Sequence, residues 1–224
     1  TSKEAGKISD IKITDYKSPF ILDFIGSEVD KESGQLGQII ENYHIHNALR
    51  DKVLTKENIT LFCPDFYEEI KFLENGVEVK LTNKKLIKAK LLLACDGRFS
   101  RLRELYQIPT AKKHYHQTAI VFNIFHERPH ENIAYEKFLP GGPLAILPLK
   151  ESHHSSIVWI APDQTAQAIL QLDEKNFLQQ LNKKMEDCLG KTSVISEKFS
   201  YPLILVEAKN FYHEKMLLIG DAAA

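Results

Sequence analysis

Two aspartates, Asp96 and Asp221, each follow a short apolar run of the chain. The first run, residues 91–95, is too short to cross a membrane and predicts a strand that is buried on both faces. At the carboxyl end of such a strand, where open α/β sheets bind ligands, a carboxylate can accept a hydrogen bond from a sugar hydroxyl or hold an arginine that bridges to phosphate. The alternative is that Asp96 only caps its own turn. We favour ligand binding because an apolar run followed by an aspartate-containing turn occurs twice, at positions about 120 residues apart.

Glycine and other small residues beside both aspartates suit close contact with a ligand. Gly97 tolerates a tight turn after Asp96, and Ser100 predicts the cap of a helix that begins at the next residue. Residues 216–219 predict a second buried strand, and the sequence GDAAA follows from Gly220. Small side chains there allow a helix N-terminus, whose free N–H groups favour an anion, to approach the ligand. We therefore expect the two turns to share one nucleotide-binding crevice.

The elements that must position these turns indicate an α/β protein with a β-rich insert. From residue 37 onwards apolar residues recur with a helical period, so we expect Gln38 at the N-terminus of a helix. The pair Asn75-Gly76 predicts a hairpin in a small meander. Residues 118–161 predict an antiparallel sheet, and residues 166–189 predict a helix or helix pair. Shorter strands are expected at residues 11–13, 20–24, 59–62, 194–199 and 203–206.

Composition and charge argue against several classes of protein. The 29 basic and 30 acidic residues leave a net charge of -1, which does not support nucleic-acid binding. Three scattered cysteines without a CxxC pair favour a reducing cytoplasm. His44 and His46 are two residues apart on a predicted helix and would point to different sides, and His114 and His116 lack a third ligand of matching spacing, so we expect no metal site. No apolar run approaches 18 residues, so we expect a cytoplasmic protein that is at most peripheral to the inner membrane.

Two motifs carry a resemblance to a known family. The sequences CDGRFSRLR (residues 95–103) and LLIGDAA (residues 217–223) resemble the DG and GD motifs of FAD-dependent aromatic hydroxylases. Further matches are LGQIIEN from residue 36, CPD from residue 63, FLPGGPLAILPL from residue 138 and YPL from residue 201. Together they resemble the ubiquinone-biosynthesis hydroxylases, and the resemblance runs from residue 36 to residue 224.

The resemblance implies an FAD-dependent monooxygenase that hydroxylates a polyprenylated phenol with NAD(P)H and O2. The cofactor supplies the difficult chemistry in such enzymes, so we name no catalytic residue. It implies a Rossmann-like FAD/NAD(P)-binding domain at residues 35–110 and 206–224, and a mainly antiparallel substrate-binding sheet at residues 1–34 and 111–205. Beyond the substrate, the expected partners are a membrane surface or a ubiquinone-biosynthesis complex. The implied FAD contacts are Gln38, Asp96, Gly97, Gly220 and Asp221.

Residues 138–149 are our prediction for the substrate wall. Two glycines and two prolines fix a corner there, and Leu144, Ile146 and Leu147 would follow with an apolar surface suited to a prenylated phenol. The alternative is ordinary sheet core. The predicted substrate contacts are Phe138, Gly142, Pro143 and Leu147.

One feature of the expected family is missing from the printed sequence. None of its ten glycines forms the GxGxxG spacing that cradles a dinucleotide phosphate. We therefore expect a fragment of a longer enzyme, which by itself holds FAD weakly or not at all. The alternatives are an isoprenoid reductase or epoxidase of the same flavoprotein group, or a binding module without activity. A methyltransferase is poorly supported because its Gly-rich first loop is absent too.

Overall fold

The computed structural model describes residues 2–186 and 188–224, and it has the mixed α/β fold that the sequence predicts. The chain divides into two compact units. Unit 1 contains Thr1–Thr55 and His116–Leu203, and unit 2 contains Lys56–Tyr115 and Ile204–Ala224. Residues 35–55, which we assigned to FAD binding, group with unit 1. The functional names given to the two domains stay predictions.

The strands and helices are numbered in chain order. The first strands are β1 (Gly6–Ile8), β2 (Asp10–Asp15), β3 (Ile21–Ile25), β4 (Gly37–Ile39), β5 (Tyr67–Leu73), β6 (Gly76–Leu81), β7 (Leu86–Ala89) and β8 (Leu92–Ala94). The later strands are β9 (Thr110–His126), β10 (Ile133–Leu139), β11 (Gly142–Pro148), β12 (His154–Pro162), β13 (Thr192–Val194), β14 (Phe199–Ala208), β15 (Tyr212–His213) and β16 (Met216–Leu218). The α-helices are α1 (Gly26–Val29), α2 (Asn42–Leu54), α3 (Arg101–Leu105), α4 (Asp163–Leu170) and α5 (Glu174–Met185).

The main sheet of unit 1 has the strand order β13-β9-β12-β11-β10-β2-β3. Neighbouring strands along this path are antiparallel except β10 and β2, which are parallel. Along β12 every second residue is buried, which is the period of a strand with one covered face. The predicted antiparallel sheet and helix pair are therefore confirmed, and β2 and β3 extend the sheet.

Helices α4 and α5 cover one face of this sheet. The core between them is built from fully buried apolar side chains of β9, β11, β12 and α5, among them Phe122, Leu144, Trp159 and Phe177. The Asp173 carboxylate accepts a hydrogen bond from the Asn176 backbone N–H at 2.9 Å, so it caps the N-terminus of α5. We call this side of the sheet the covered face and the opposite side the open face.

Unit 2 combines two small sheets, β5-β6-β7 and β15-β16-β8, with the short helix α3. The predicted hairpin at Gly76 joins β5 to β6. Met216 and Leu218 of β16 and Ala94 of β8 form a core with Leu102 of α3. The short strands thus place the two aspartate turns on a packed base.

Several local predictions are wrong. The strand before Asp96 is not buried on both faces, because the Leu93 side chain of β8 is exposed, as is Leu91 just before the strand. Residues 59–62 form no strand, and residues 194–199 are split between β13 and β14. A 3₁₀ turn, Gly220–Ala222, stands where we expected the start of a helix.

Helix α2 also differs from its prediction. It begins at Asn42 rather than at residue 37, and none of its residues is buried. The preceding segment forms β4 instead, in which Gln38 pairs with Lys7 of β1. Its two β-branched isoleucines, at 39 and 40, favour an extended backbone, which explains the difference.

Within residues 2–186 and 188–224 no helix is both long enough and apolar enough to cross a membrane. The same residues contain no cluster of three or more histidine, cysteine or acidic side chains that could hold a metal ion.

Candidate functional site

The turns after β8 and β16 lie side by side. The two strands are parallel neighbours, with Leu92 opposite Met216 and Ala94 opposite Leu218. The Ile219 backbone N–H donates to the Ala94 carbonyl at 3.0 Å, which extends the pairing to the point where both turns begin. Both carboxyl ends therefore reach the same edge of the small sheet, which is where such sheets bind ligands.

Asp96 forms hydrogen bonds within its own turn. Its Oδ2 accepts from the Leu102 backbone N–H at 3.3 Å, while the Ser100 Oγ caps α3 by accepting from the Arg103 backbone N–H at 3.1 Å. Partial burial raises the pKa of Asp96, but hydrogen bonds from the Ser100 side chain and from the Leu102 backbone outweigh burial and place this pKa below its ordinary value. The predicted cap is confirmed, and Asp96 is held as a carboxylate.

Arg103 joins the two turns. Its side chain is buried, with Nη1 donating to the Ala222 carbonyl at 2.8 Å and Nη2 donating to the Arg98 carbonyl at 2.6 Å. A guanidinium that donates to a carbonyl from each turn fixes their relative position. We did not predict a role for Arg103 from the sequence. Its only sequence signal is its position three residues after the Ser100 cap, whereas its burial, which distinguishes it from the exposed Arg101, is seen only in the structure.

Gly97 and Gly220 occupy the left-handed region, with φ of +83° and +61°. Most side chains avoid this conformation, so glycine suits both turns. A Cβ added at either residue would meet no atom within 4 Å, so both backbones face open space that a ligand can enter.

The predicted substrate contacts lie along the hairpin of β10 and β11. Phe138 pairs with Pro143, and Leu147 follows on the same face of β11, the open face, because alternate residues of a strand share a face. A Cβ at Gly142 would lie 2.3 Å from the Ile160 carbonyl oxygen, so only glycine fits there. Leu144 and Ile146, which we expected in the wall, belong to the covered core.

A family model described as "FAD binding domain" matches residues 67–224. The chain belongs to this FAD-binding family. The match covers all of the DG and GD turns and the predicted wall, and it leaves out Gln38.

Two curated relatives of this FAD-binding chain are hydroxylases by name. Ubiquinone hydroxylase UbiL of Rhodospirillum rubrum is 33% identical over 98% of this chain and 50% of the relative, and ubiquinone hydroxylase UbiM of Neisseria meningitidis is 31% identical over 84% and 41%. The chain therefore spans about half the length of the curated relatives it matches. Among solved structures, PqsL of Pseudomonas aeruginosa, a probable FAD-dependent monooxygenase, superposes with a TM-score of 0.82 at 14% identity, over 98% of this chain and 62% of PqsL. At this identity the likeness concerns the fold alone.

The geometry of unit 2 fits FAD, the cofactor of the family. Two carboxylates at strand ends can accept hydrogen bonds from ribityl or ribose hydroxyls, and two left-handed glycines leave room for close backbone contact. The structure brings together Asp96, Gly97, Gly220 and Asp221, all within unit 2. Gln38 is exposed in unit 1, and its flavin contact stays a prediction.

Proposed function

We propose that the full-length protein is an FAD-dependent monooxygenase that hydroxylates a polyprenylated phenol in ubiquinone biosynthesis, using NAD(P)H and O2. This proposal depends mainly on one observation. The neighbouring parallel strands β8 and β16 end at the same level, and the turns that follow them contain Asp96, Gly97, Gly220 and Asp221. The names of the two ubiquinone hydroxylase relatives support the choice of pathway.

Bound FAD would supply the activation of oxygen. Within unit 2, Asp96 and Asp221 would orient the cofactor through its hydroxyl groups, and Arg103 would keep the two turns at a constant separation. Within unit 1, the half-buried apolar residues of the open face, such as Leu147, would hold the phenol ring and exclude water from it.

The test is turnover by the purified full-length protein with a short-tailed polyprenylphenol, NAD(P)H and ¹⁸O₂. We expect one labelled oxygen atom in the product ring, measured by mass spectrometry. A reduced prenyl chain or an epoxide on that chain would instead identify one of the alternative flavoenzymes. Flavin in the protein without any conversion of a panel of polyprenylphenols would reject the proposed substrate class.

A pair of glycine variants tests the flavin site separately. Gly97 and Gly34 both have left-handed φ angles, +83° and +62°, and an added Cβ meets no atom within 4 Å at either. Alanine at each therefore introduces similar backbone strain, about 1–2 kcal/mol. We expect Gly97→Ala to lower the flavin content of the purified protein and Gly34→Ala to leave it unchanged. Equal flavin content in both variants would contradict a flavin contact at Gly97.

A further inference from the structure

Glu136 stands in the middle of a row of residues that crosses the open face of the main sheet. Its direct cross-strand neighbours are Ile13 on β2 and Ala145 on β11. Because paired residues of neighbouring strands share a face, the register extends this row across six strands. In spatial order the row is Leu22, Ile13, Glu136, Ala145, Val158 and Val121.

Five of these six side chains are apolar, so Glu136 is the exception in its row. The next residue along β10, Lys137, points to the covered face, where its Nζ forms an ion pair with Glu186 at 2.6 Å. Within residues 2–186 and 188–224, Glu136 itself has no hydrogen-bond or ion-pair partner. A half-buried carboxyl group without a partner loses water contacts and gains nothing from the protein in return.

Burial raises the pKa of Glu136, and no charged neighbour contributes to this shift. Asp15 shares the open face opposite Phe138 and is acidic as well. This part of the open face therefore carries two acidic side chains. An uncompensated acidic group on an apolar wall is characteristic of a site whose partner is a ligand.

We propose that Glu136 binds the substrate, and that its carboxyl group accepts a hydrogen bond from the ring hydroxyl of a neutral phenol. This inference rests on the proposed function, because it assumes that the substrate is a phenol that lies against the open face. The apolar residues of the row contact the ring and the prenyl chain, while Glu136 fixes the direction of the hydroxyl group.

The same geometry predicts which phenols are rejected. A ring that carries a carboxylate would bring a second negative charge to an apolar surface that already holds Glu136 and Asp15. We therefore infer that the open face selects neutral phenols against their ring-carboxylated analogues.

Three ligands separate the hydrogen bond from the charge. They are a short-tailed prenylphenol, its methyl ether, which lacks the O–H donor, and its ring-carboxylated analogue. Isothermal titration calorimetry with the full-length, flavin-loaded protein measures each dissociation constant. We expect the wild-type protein to bind the phenol about tenfold more tightly than the methyl ether, as one hydrogen bond to a partly buried group allows.

Two variants remove the two properties of Glu136 in turn. Glu136→Leu should bind the phenol and the methyl ether equally, because no acceptor remains. Glu136→Gln keeps an acceptor oxygen and the size of the side chain, so it should retain phenol binding and bind the carboxylated analogue about tenfold more tightly than the wild type. Asp23→Asn is the matched control. Asp23 pairs with Lys12, which pairs with Tyr135, so it lies on the other face of the same sheet and should change none of these affinities.

The outcomes distinguish this inference from the proposed function. If the wild type hydroxylates the phenol but Glu136→Leu still prefers the phenol to its ether by the wild-type factor, the role of Glu136 is wrong and the proposed function stands. If Glu136→Gln does not improve binding of the carboxylated analogue, the selection against anions is wrong. If the wild type neither binds nor converts any phenol, the proposed function and this inference both fail.

Discussion

The main sheet of unit 1 and the paired turns of unit 2 are held in place by different forces. Trp159 and its neighbours on the covered face are fully buried, and their burial supplies most of the stability of the sheet. The turns bury little apolar surface, and they depend on hydrogen bonds of Arg103 and Ser100 and on two left-handed glycines. A region stabilised by burial should respond to substitutions in proportion to side-chain volume. In a region stabilised by specific hydrogen bonds, a substitution should lower ligand affinity as well as the free energy of unfolding.

The two faces of the main sheet also differ in how deeply their side chains are buried. Trp159 and Val158 are consecutive residues of β12, yet Trp159 is fully buried under the helices and Val158 is half-buried on the open face. Because successive side chains of a strand point to opposite faces, Trp159 contributes to the stability of the core, whereas Val158 lies on a surface that can bind a ligand. Substitutions on each face and in each region therefore test these contrasts.

Removal of the Trp159 side chain should have the largest effect. We expect Trp159→Ala to lower the free energy of unfolding of unit 1 by about 3–5 kcal/mol, because the loss of a buried aromatic ring leaves a cavity. Val158→Ala should cost less than about 1.5 kcal/mol, since its site is already half-exposed. Urea denaturation followed by circular dichroism measures both. Equal losses would show that the open face is as closely packed as the covered face.

Arg103→Ala should have the next largest effect, in unit 2. It leaves the Ala222 and Arg98 carbonyls without their donors, at a cost of about 2–4 kcal/mol, and it should also lower flavin content because the two turns lose their link. Arg101→Ala, on the exposed side of the same helix, is the control and should change neither quantity measurably. Full flavin content in a folded Arg103→Ala protein would contradict a linking role.

The α/β class and the elements of the main sheet could be predicted from the sequence because their signals are local and periodic. The strand Ile133–Leu139 lies within residues 118–161, for which we predicted an antiparallel sheet, and the predicted hairpin joins β5 to β6 through Glu74 and Asn75. The parallel neighbours β8 and β16 are distant in sequence, yet both end in an aspartate and a glycine, and that repeated pattern predicted their meeting.

Features that depend on tertiary packing could not be predicted in this way. Leu144 and Leu147 lie on opposite faces of β11. The sequence does not reveal which of them faces the helices, because the residues between them are apolar as well and no polar residue marks the outer face. Gln38 was placed on a helix because its apolar neighbours fit a helical period, whereas the pairing with β1 favours a strand. The buried guanidinium of Arg103 has no local signal beyond its position after a helix cap.

A smaller change compares two helix caps. Ser100 caps α3 beside the DG turn, and Asp173 caps α5 in unit 1, each by accepting one backbone N–H. Ser100→Ala and Asp173→Ala should each cost about 1 kcal/mol in thermal or urea unfolding. Only Ser100→Ala should weaken flavin binding, because only this cap also hydrogen-bonds the Asp96 carboxylate. Loss of flavin in both variants would mean that general destabilisation causes it.

Two buried histidines near one end of the main sheet should make the stability of unit 1 depend on pH below neutrality. The His130 Nδ1 accepts from the Asn132 backbone N–H at 3.0 Å, and its Nε2 donates to the Leu149 carbonyl at 3.1 Å, so this imidazole is held neutral. The His126 Nε2 lies 2.9 Å from the Ser155 Oγ. Burial is the largest cause that lowers the pKa of both histidines.

We expect the stability of unit 1 to fall as the pH drops from 6.5, the ordinary histidine value, towards the lower pKa values of folded His126 and His130. In that range the unfolded chain binds protons that the folded chain excludes, so protonation favours unfolding; above pH 6.5 both states are neutral at these residues and the effect vanishes. Urea midpoints followed by the fluorescence of Trp159, the single tryptophan, measure it in unit 1. His46→Gln, at an exposed position of α2, is the control and should keep the pH dependence. Urea midpoints of the wild type that do not change with pH would show that neither buried imidazole stays neutral on folding.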